Sequence, residues 1–352
     1  MKEAIVHPGG KVVIEDHPIP QPGHNELLVR VIIAGTNQKD WKFPFLEDTP
    51  HNAGDDVAGV VEAIGDGVWE FRPGDRVAGL HAFPEPGGAY AEYAILPAHQ
   101  TFRLPDIVSF EEGATVPLTA LGAAFALYHN LQLPTSWQRP PDKPTPLLVY
   151  GASTAVGAYA IKLAIASSIH PIVAIGSEHS CFVRKHLRSE EGDAFLDYTA
   201  FENPSDLVEA IQQAFRDAGV ADGRPGHAID AVSIPGTFDH VVAQSMAGAP
   251  IDGQRPRMAV MMPGHNYSTA DTSVEVVEVY TGLAHQGGDV GKRFAYTVCR
   301  LFAMGLAEGW LAPHPFEVRE EGLEALEGVL QDSMSGKIHA KKILLRVGKV
   351  EQ

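Results

Sequence analysis

A short glycine-containing turn follows the apolar residues 147–150 in the segment LLVYGASTAVGAYAIKLA. The pattern is that of a buried strand that runs into small residues, among which a helix begins. Such a turn directs backbone N–H groups and the positive end of the helix toward one point, which suits a pyrophosphate. Compared with G-x-G-x-x-G, Ala152 and Thr154 stand at the first two glycine positions, and Gly157 keeps the third. The turn predicts a dinucleotide site, with an ordinary strand–helix turn as the alternative.

Side chains near this turn indicate which dinucleotide is bound. In NAD enzymes an acidic residue about 20 residues after the glycines accepts the ribose 2′-OH, and here Gly176 occupies that position. Because a missing carboxylate leaves room for a 2′-phosphate, the sequence predicts NADPH. The turn residues assigned to the cofactor are Ser153, Thr154, Ala155, Val156 and Gly157. The residues available to hold the 2′-phosphate are Ser177, His179 and Lys185.

The elements that must position this turn lie in two parts of the chain with different patterns. Residues 1–100 alternate between apolar and polar positions and are interrupted by Gly and Pro, which predicts a β-rich region. After a Pro-rich connector at 133–146, short apolar strands alternate with helices, which is typical of a doubly wound parallel sheet. The expected fold class is therefore α/β. The predicted strands are 11–15, 26–33, 57–64, 76–80, 90–97, 147–150, 171–175, 228–232, 258–262 and 274–281, and the predicted helices are 109–131, 155–168 and 206–218. Residues 314–347 are predicted to form a strand, a helix and a final strand.

Composition excludes several classes of protein. The 352 residues include 27 Lys and Arg against 44 Asp and Glu, a formal charge of −17. The chain therefore lacks the cations that nucleic acid or an anionic membrane surface would require. The first residues have a strand pattern and not that of a signal peptide, and no run of 18 apolar residues occurs. We expect a cytoplasmic protein without a nucleic-acid or membrane partner.

Motifs along nearly the whole chain resemble the zinc-free branch of the medium-chain dehydrogenase/reductase superfamily, which includes quinone reductases and enoyl reductases. The matching segments are PIPQPGHNELLVRV, AGTNQKDWK, AGDDVAGVVEAIGDGV, FRPGDRVAGL, GGAYAEYAILPA, LPDIVSFEEGATVPLTALGAAFALY, YGASTAVG and SGKIHAKKILLRV. Their order and spacing together are highly specific. The resemblance implies a GroES-like catalytic domain built from both ends of the chain, 1–125 and 284–352, and a Rossmann domain at 126–283.

The same resemblance implies a protein without zinc. In zinc alcohol dehydrogenases a Cys ligand stands where this sequence has Asn37, and their Gly-His-Glu turn corresponds to Gly54-Asp55-Asp56. The third ligand region, PLTALGAA, contains no cysteine. Zinc prefers Cys or His in a tetrahedral set, so no metal site is expected. Without that Lewis acid, simple alcohol oxidation is disfavoured.

The resemblance then implies hydride delivery from NADPH to a C=C bond conjugated to a carbonyl group, with enoyl or quinone substrates. The family segment N-P-x-D-W-K corresponds to residues 37–42, with Gln38 in place of the proline. Asn37, Lys42 and Thr119 are expected to line the nicotinamide and substrate cleft, and the proton donor, one of these groups or water, is left open. Tyr198, in the phrase FLDY, is expected beside the adenine-side ribose.

The stretches TALGAAFALY and SGKIHAKKILLRV are most similar to the trans-acting enoyl reductases of fungal polyketide pathways. That likeness implies a small-molecule or carrier-bound unsaturated carbonyl substrate, a polyketide synthase as partner, and a role in secondary metabolism. A monomer and a homodimer both remain open. Two other functions also remain open: an NADPH-binding protein that senses without turnover, and a biosynthetic enzyme that uses the fold for a non-redox reaction.

Two pairs of charged residues are expected to have ordinary roles. For Asp55 and Asp56, hydrogen bonds to backbone or to an arginine are favoured over a catalytic pair. For Lys341 and Lys342, a solvated strand edge is favoured over contact with a carrier group.

Overall fold

The computed structural model describes residues 1–177, 181–251 and 253–349, without the side chain of residue 181. Two compact units are present. The first is formed by the chain up to Leu121 and from Gly282 onward, and the second is Gly122–Thr281. The predicted domain boundaries were 125/126 and 283/284.

The first unit is built on a seven-stranded sheet of order β14-β15-β3-β4-β5-β7, with β6 also paired to β3, beside the hairpin β1-β2. All of these pairs are antiparallel except β14–β15. The last strand therefore lies next to a strand from the start of the chain, so both chain ends form one sheet, as expected of a GroES-like domain. The strands are β1 Lys2–Val6, β2 Val12–Asp16, β3 Glu26–Gly35, β4 Asp56–Ile64, β5 Arg76–Leu80, β6 Tyr93–Pro97, β7 Thr101–Arg103, β14 Phe316–Arg319 and β15 Lys342–Arg346.

Helices accompany this sheet, and several differ from the sequence prediction. The single helix predicted for 109–131 is interrupted after α2, because Pro117 has no N–H to continue a helix and instead starts α3. Ser109 and Glu112 form a capping box that fixes the start of α2. The helices α1 and α9 were not predicted. The helices are α1 Lys39–Glu47, α2 Phe110–Ala114, α3 Pro117–Ala124, α8 Leu283–Gln286, α9 Gly288–Glu308 and α10 Leu326–Met334.

The second unit has a six-stranded sheet in which every pair is parallel, in the order β10-β9-β8-β11-β12-β13. The chain proceeds outward from β8 to β10 and then crosses to β11, so the strand order reverses between β8 and β11. This is the Rossmann topology, and ligands bind such sheets at the carboxyl ends of the strands beside the reversal. The elements are β8 Leu147–Tyr150, α4 Ala155–Ala166, β9 Ile172–Gly176, α5 Cys181–Arg184, β10 Ala194–Asp197, α6 Pro204–Asp217, β11 His227–Asp230, α7 Ala243–Met246, β12 Arg257–Val260 and β13 Glu275–Glu278.

These sheets confirm the predicted α/β class with a β-rich GroES-like part and a Rossmann part. The central strands β8 and β9 of the second sheet are buried on both faces, which explains their continuous apolar sequences. Within the described ranges, no helix has the length and apolar character needed to cross a membrane.

Candidate functional site

The turn after β8 in the second unit has the backbone geometry that a phosphate-binding turn requires. Gly151 has a φ of +76°, a conformation that favours glycine. A Cβ on Gly157 would lie 2.3 Å from the Gly151 carbonyl oxygen, so helix α4 begins against the turn only because residue 157 is glycine. The Thr154 side chain caps this helix by accepting a 3.0 Å hydrogen bond from the Gly157 N–H. Two glycines and one threonine therefore set the position of the helix N-terminus.

The same turn lies against the end of β9. A Cβ on Gly176 would come within 3.1 Å of Ser153 Oγ and of the Phe195 ring. The position that carries the ribose-binding acid in NAD enzymes is thus next to the phosphate-binding turn, and here it has no side chain. These residues fit a dinucleotide: small residues surround the start of α4, whose first N–H groups, those of Ala155 and Val156, point out of the helix end.

The other predicted cofactor residues are placed as follows. Tyr198 is 45% exposed, and its ring centroid lies 6.4 Å from that of Tyr150 at the end of β8. Ser177 follows β9 directly, and Lys185 is exposed just after α5. His179 lies outside the described residues. Tyr198 and Ser177 are therefore both at the carboxyl edge of the sheet, on the side of β8 where β9 and β10 lie.

Asp230 at the end of β11 was missed by the sequence analysis. Its buried carboxylate accepts hydrogen bonds from the Val232 and Ser233 N–H groups, each at 2.9 Å, and from Thr237 Oγ1 at 2.6 Å. Burial raises the pKa of Asp230. The residue closes the loop after β11 on the other side of the strand reversal. An aspartate directly after a short apolar strand was the available signal.

In the first unit, Asp56 binds one of the three predicted catalytic residues, Asn37, and the residue next to a second one, Thr119. Its Oδ2 accepts a 2.8 Å hydrogen bond from Asn37 Nδ2, and its Oδ1 accepts a 2.6 Å bond from the Leu118 N–H, next to Thr119. Lys342 completes the group with an ion pair to Asp56 and a 3.0 Å bond to Asn37 Oδ1. Asn37 and the start of α3 are thus held by one buried carboxylate.

Thr119 and Lys42 differ in the hydrogen-bonding group that each can offer to a ligand. The buried Thr119 hydroxyl donates to the Thr115 carbonyl at 3.1 Å, so its oxygen remains as an acceptor. Lys42 lies in α1, its Nζ 5.5 Å from the centre of the Trp41 ring. Partial burial lowers the pKa of Lys42, which makes its ammonium a readier proton donor than an exposed lysine.

A second set of contacts surrounds Lys39 at the start of α1. Its ammonium lies 3.0 Å from Asp55 Oδ2, 3.2 Å from Asp40 Oδ1 and 2.6 Å from the Ala53 carbonyl oxygen. Asp40 also accepts hydrogen bonds from Tyr90 Oη at 2.5 Å and from the Asn37 N–H at 2.6 Å. We call Lys39, Asp40, Asp55, Asp56 and Lys342 the buried charge cluster. It connects the predicted catalytic segment 37–42 to strands β4 and β15.

One sequence expectation is confirmed in part in this cluster, and another is wrong. Asp55 and Asp56 were expected to bond backbone or an arginine. Asp56 does accept from a backbone group, the Leu118 N–H, but the cationic partners of the two aspartates are the lysines Lys39 and Lys342. Lys342 was expected at a solvated edge, whereas it is 4% exposed, because β15 lies between β14 and β3 and is no edge strand. Such pairings join distant segments and leave no local sequence signal.

Asn37 and Asp55, which the resemblance places at zinc-ligand positions, already have other partners in this structure. Asn37 is bonded to Asp56 and Lys342, and Asp55 to Lys39. Within the part of the chain that the structure describes, no group of three or more His, Cys, Asp or Glu side chains is arranged to hold a metal ion.

Comparisons with known proteins agree with this architecture. Residues 23–106 match the alcohol dehydrogenase GroES-like domain. The chain is 36% identical to a trans-enoyl reductase of Gibberella fujikuroi, over 90% of each chain. Among solved structures, an alcohol dehydrogenase superfamily protein of Novosphingobium aromaticivorans is similar, with a TM-score of 0.78, 21% identity and coverage of 99% of this chain and 100% of that one. A mycobacterial protein complexed with NADPH has a TM-score of 0.72, with 22% identity over 98% of this chain and 99% of that one.

The two structures show the fold, and the extensive identity to the Gibberella protein shows the family. The chain belongs to the trans-enoyl reductases, an oxidoreductase family of the medium-chain dehydrogenase/reductase superfamily.

Proposed function

We propose that the protein is a zinc-independent, NADPH-dependent reductase of C=C bonds conjugated to a carbonyl group. The observation that carries this proposal is the second unit's turn from Gly151 to Gly157, which ends against a side-chain-free Gly176. The family supplies the reaction class, since the relative of Gibberella fujikuroi is a trans-enoyl reductase. The similar mycobacterial structure contains NADPH.

The preference for NADPH over NADH rests on the end of β9. A carboxylate at this position would accept the ribose 2′-OH of NAD and would repel a 2′-phosphate. Gly176 offers no such group. The Ser177 hydroxyl follows directly after β9, and the Lys185 ammonium follows directly after α5. We propose that these two side chains hold the 2′-phosphate and that Tyr198 lies against the adjacent ribose.

When bound, the cofactor supplies the hydride. Side chains of the first unit then have to bind the substrate carbonyl and stabilise the negative charge that develops on its oxygen. Lys42 is the best placed donor for that oxygen by charge, and its lowered pKa favours hydrogen bonding to an enolate. Asn37 and Thr119 are proposed as positioning groups, because Asp56 holds Asn37 and the start of α3 together.

Zinc independence is supported by the contacts of Asn37 and Asp55, the residues at the zinc-ligand positions of alcohol dehydrogenases. At Asp55 the ammonium of Lys39 stands 3.0 Å away, and a second cation at this place would be repelled. The substrate is proposed to be an enoyl group on a small molecule or on the carrier of a polyketide synthase.

Oxidation of NADPH tests the proposal with three classes of acceptor: enoyl thioesters, 2-alkenals and quinones. We expect turnover with enoyl thioesters and a saturated thioester as product, identified by mass spectrometry. NADH at equal concentration serves as the comparison. Tight NADPH binding without reduction of any acceptor would contradict the reductase proposal and favour a sensor. Stoichiometric zinc in purified active protein would contradict zinc independence.

A further inference from the structure

The loop that follows β11, residues 231–237, packs directly on the dinucleotide turn of the same unit. A Cβ on Gly151 would lie 2.7 Å from Val232 Cγ2 and 3.5 Å from Ala231 Cβ, so these side chains fill the space beside the glycine. The Ala231 N–H also donates to the Tyr150 carbonyl oxygen at 3.0 Å. We call residues 231–237 the β11 loop. It borders the strand reversal, where ligands bind sheets of this topology.

Gly151 gives the turn its shape but does not hold that shape by itself. Glycine populates positive and negative φ about equally, so the φ of +76° is fixed by what surrounds the residue. On one side Gly157 lies against the Gly151 carbonyl oxygen, and on the other side lies Val232 of the β11 loop. A displaced loop would therefore free the turn to leave the conformation that suits a pyrophosphate.

Asp230 fixes the β11 loop through its carboxylate. Its Oδ1 accepts the N–H groups of Val232 and Ser233, and its Oδ2 accepts the Thr237 hydroxyl. These bonds reach both the start of the loop and its last residue. One buried side chain therefore determines where Val232 lies.

Ser233 shows how firmly the β11 loop is held. Its φ is +59°, a left-handed conformation that costs free energy for a residue other than glycine and that is found at ligand clamps. The buried hydroxyl donates to the Asp230 carbonyl oxygen at 2.5 Å and accepts the Met261 N–H at 2.7 Å. The loop is thus tied to the ends of both β11 and β12.

We propose that Asp230 is a positioning residue for NADPH: through the β11 loop and Val232 it holds Gly151 in the conformation that binds the pyrophosphate. This inference rests on the proposed function, which makes NADPH the ligand of the turn. A turn already held in its bound conformation loses less entropy on binding, and its affinity is higher for that reason. The negative charge of Asp230 gives no attraction to an anionic cofactor, so its contribution to affinity comes from position.

The Thr237 hydroxyl indicates which replacement can take over this role. It has one hydrogen and two acceptors within reach, Asp230 Oδ2 at 2.6 Å and the Ile234 carbonyl oxygen at 2.9 Å. In Asp230→Asn the amide nitrogen would donate to Thr237, and Thr237 would donate to Ile234. The amide oxygen would still accept the two loop N–H groups. Asparagine therefore keeps the loop in place, whereas alanine loses all three bonds.

Isothermal titration calorimetry of the full chain with NADPH tests the proposal. We expect Asp230→Ala to raise the Kd about tenfold or more, because two backbone N–H groups lose their acceptor and the loop moves. Asp230→Asn should stay within about threefold of the wild type. A wild-type Kd in Asp230→Ala would overturn the proposal. An equal loss in both variants would assign the effect to charge and would also overturn it.

Asp193→Ala is the matched control. Asp193 is also buried and also accepts two backbone N–H groups, those of Ile172 and Arg188, but it precedes β10 at the opposite, amino-terminal edge of the sheet. Both alanine variants should lower the free energy of unfolding. Only Asp230→Ala should weaken NADPH binding at a temperature where both are folded. Equal weakening in the two would show a general loss of packing, contrary to the proposal.

Val232→Ala examines the contact with Gly151 and gives an independent test if Asp230→Ala does not fold. Removing the methyl groups beside the turn should raise the Kd about threefold. If Asp230 acts through Val232, the double variant should lose less affinity than the product of the two single losses. An unchanged Kd in Val232→Ala would refute this route of action.

Steady-state kinetics separates positioning from chemistry. We expect Asp230→Ala to raise the KM for NADPH, while kcat at saturating NADPH with an enoyl thioester stays within about threefold of the wild type. A fall in kcat with an unchanged KM would contradict the positioning role. If the wild type itself bound no NADPH, the proposed function would fail. If the wild type and both alanine variants of the loop bound NADPH equally well, only this inference would fail.

Discussion

Lys42 and Thr119 illustrate how two polar side chains differ in what they offer a reacting carbonyl. Lys42 is a partly desolvated ammonium, whereas the Thr119 hydroxyl already donates to the Thr115 carbonyl. A donor to the developing oxyanion contributes more than a group that serves only as an acceptor.

We therefore predict that Lys42→Met lowers kcat by about 10²–10³, the range for loss of one oxyanion donor. Thr119→Val should cost about tenfold or less, because valine keeps the shape and the hydroxyl already donates to the Thr115 carbonyl. Steady-state kinetics with NADPH and one enoyl thioester measures both. A larger loss for the threonine variant would show that its hydroxyl turns toward the substrate.

In the proposed function, Gly176 decides the choice between NADPH and NADH at a single position. Gly176→Asp would place a carboxylate beside Ser153, where it would meet the 2′-phosphate of NADPH or the 2′-OH of NADH. We expect the KM for NADPH to rise at least tenfold and the preference to shift toward NADH. Gly176→Ala is the matched control, since it adds the same Cβ without the charge. If both variants changed NADPH binding equally, steric contact with Phe195 and not charge would be responsible.

Helix α4 carries a lysine on a face that is otherwise apolar. Lys162 is 3% exposed, and its Nζ lies 4.7 Å from the centre of the Tyr159 ring. Burial, aided by the nearby charge of Lys185, lowers the pKa of Lys162 to about 7. The folded state therefore binds this proton less tightly than the unfolded state, whose lysine titrates near its ordinary value.

The sign of the stability effect follows from that difference. Between about pH 7 and pH 10 the unfolded chain holds the proton and the folded chain does not, so this lysine destabilises the fold increasingly as pH falls through that window. We predict that Lys162→Met raises the free energy of unfolding at pH 7 by about 1–4 kcal/mol, as for other buried ionic groups replaced by apolar ones. Urea unfolding should show the gain shrinking toward pH 10. A gain that is constant with pH would contradict the role of charge.

Helices and strands were predictable from the sequence where their buried side was uniformly apolar. The buried strands of the second unit are continuous apolar runs and were found within a few residues. α1 was missed because it contains Pro44 and only two of its residues, Asp40 and Pro44, are buried. α9 begins with glycines, although Ala295, Val298 and Phe302 supply a helical apolar face further along. Packing in the tertiary structure, not propensity, stabilises such helices.

At the scale of the whole molecule, cofactor binding should be coupled to stability. A ligand that binds only the folded state raises the free energy of unfolding by about 2.7 kcal/mol at 100 times its Kd. We predict a concentration-dependent rise in Tm with NADPH and a smaller one with NADH at the same concentration. Differential scanning fluorimetry measures both. Equal shifts with the two dinucleotides would contradict the proposed recognition of the 2′-phosphate.

Local segments of the chain were enough to predict the dinucleotide turn, the fold class and the family. In these features the interacting residues are close in sequence, as with Gly151, Thr154 and Gly157, so spacing alone reports their geometry. The buried charge cluster was different. Asp56 and Lys342 are 286 residues apart, and they meet only because β15 is inserted beside β3. The excess of carboxylates over lysines in this cluster follows from which side chains the fold buries together.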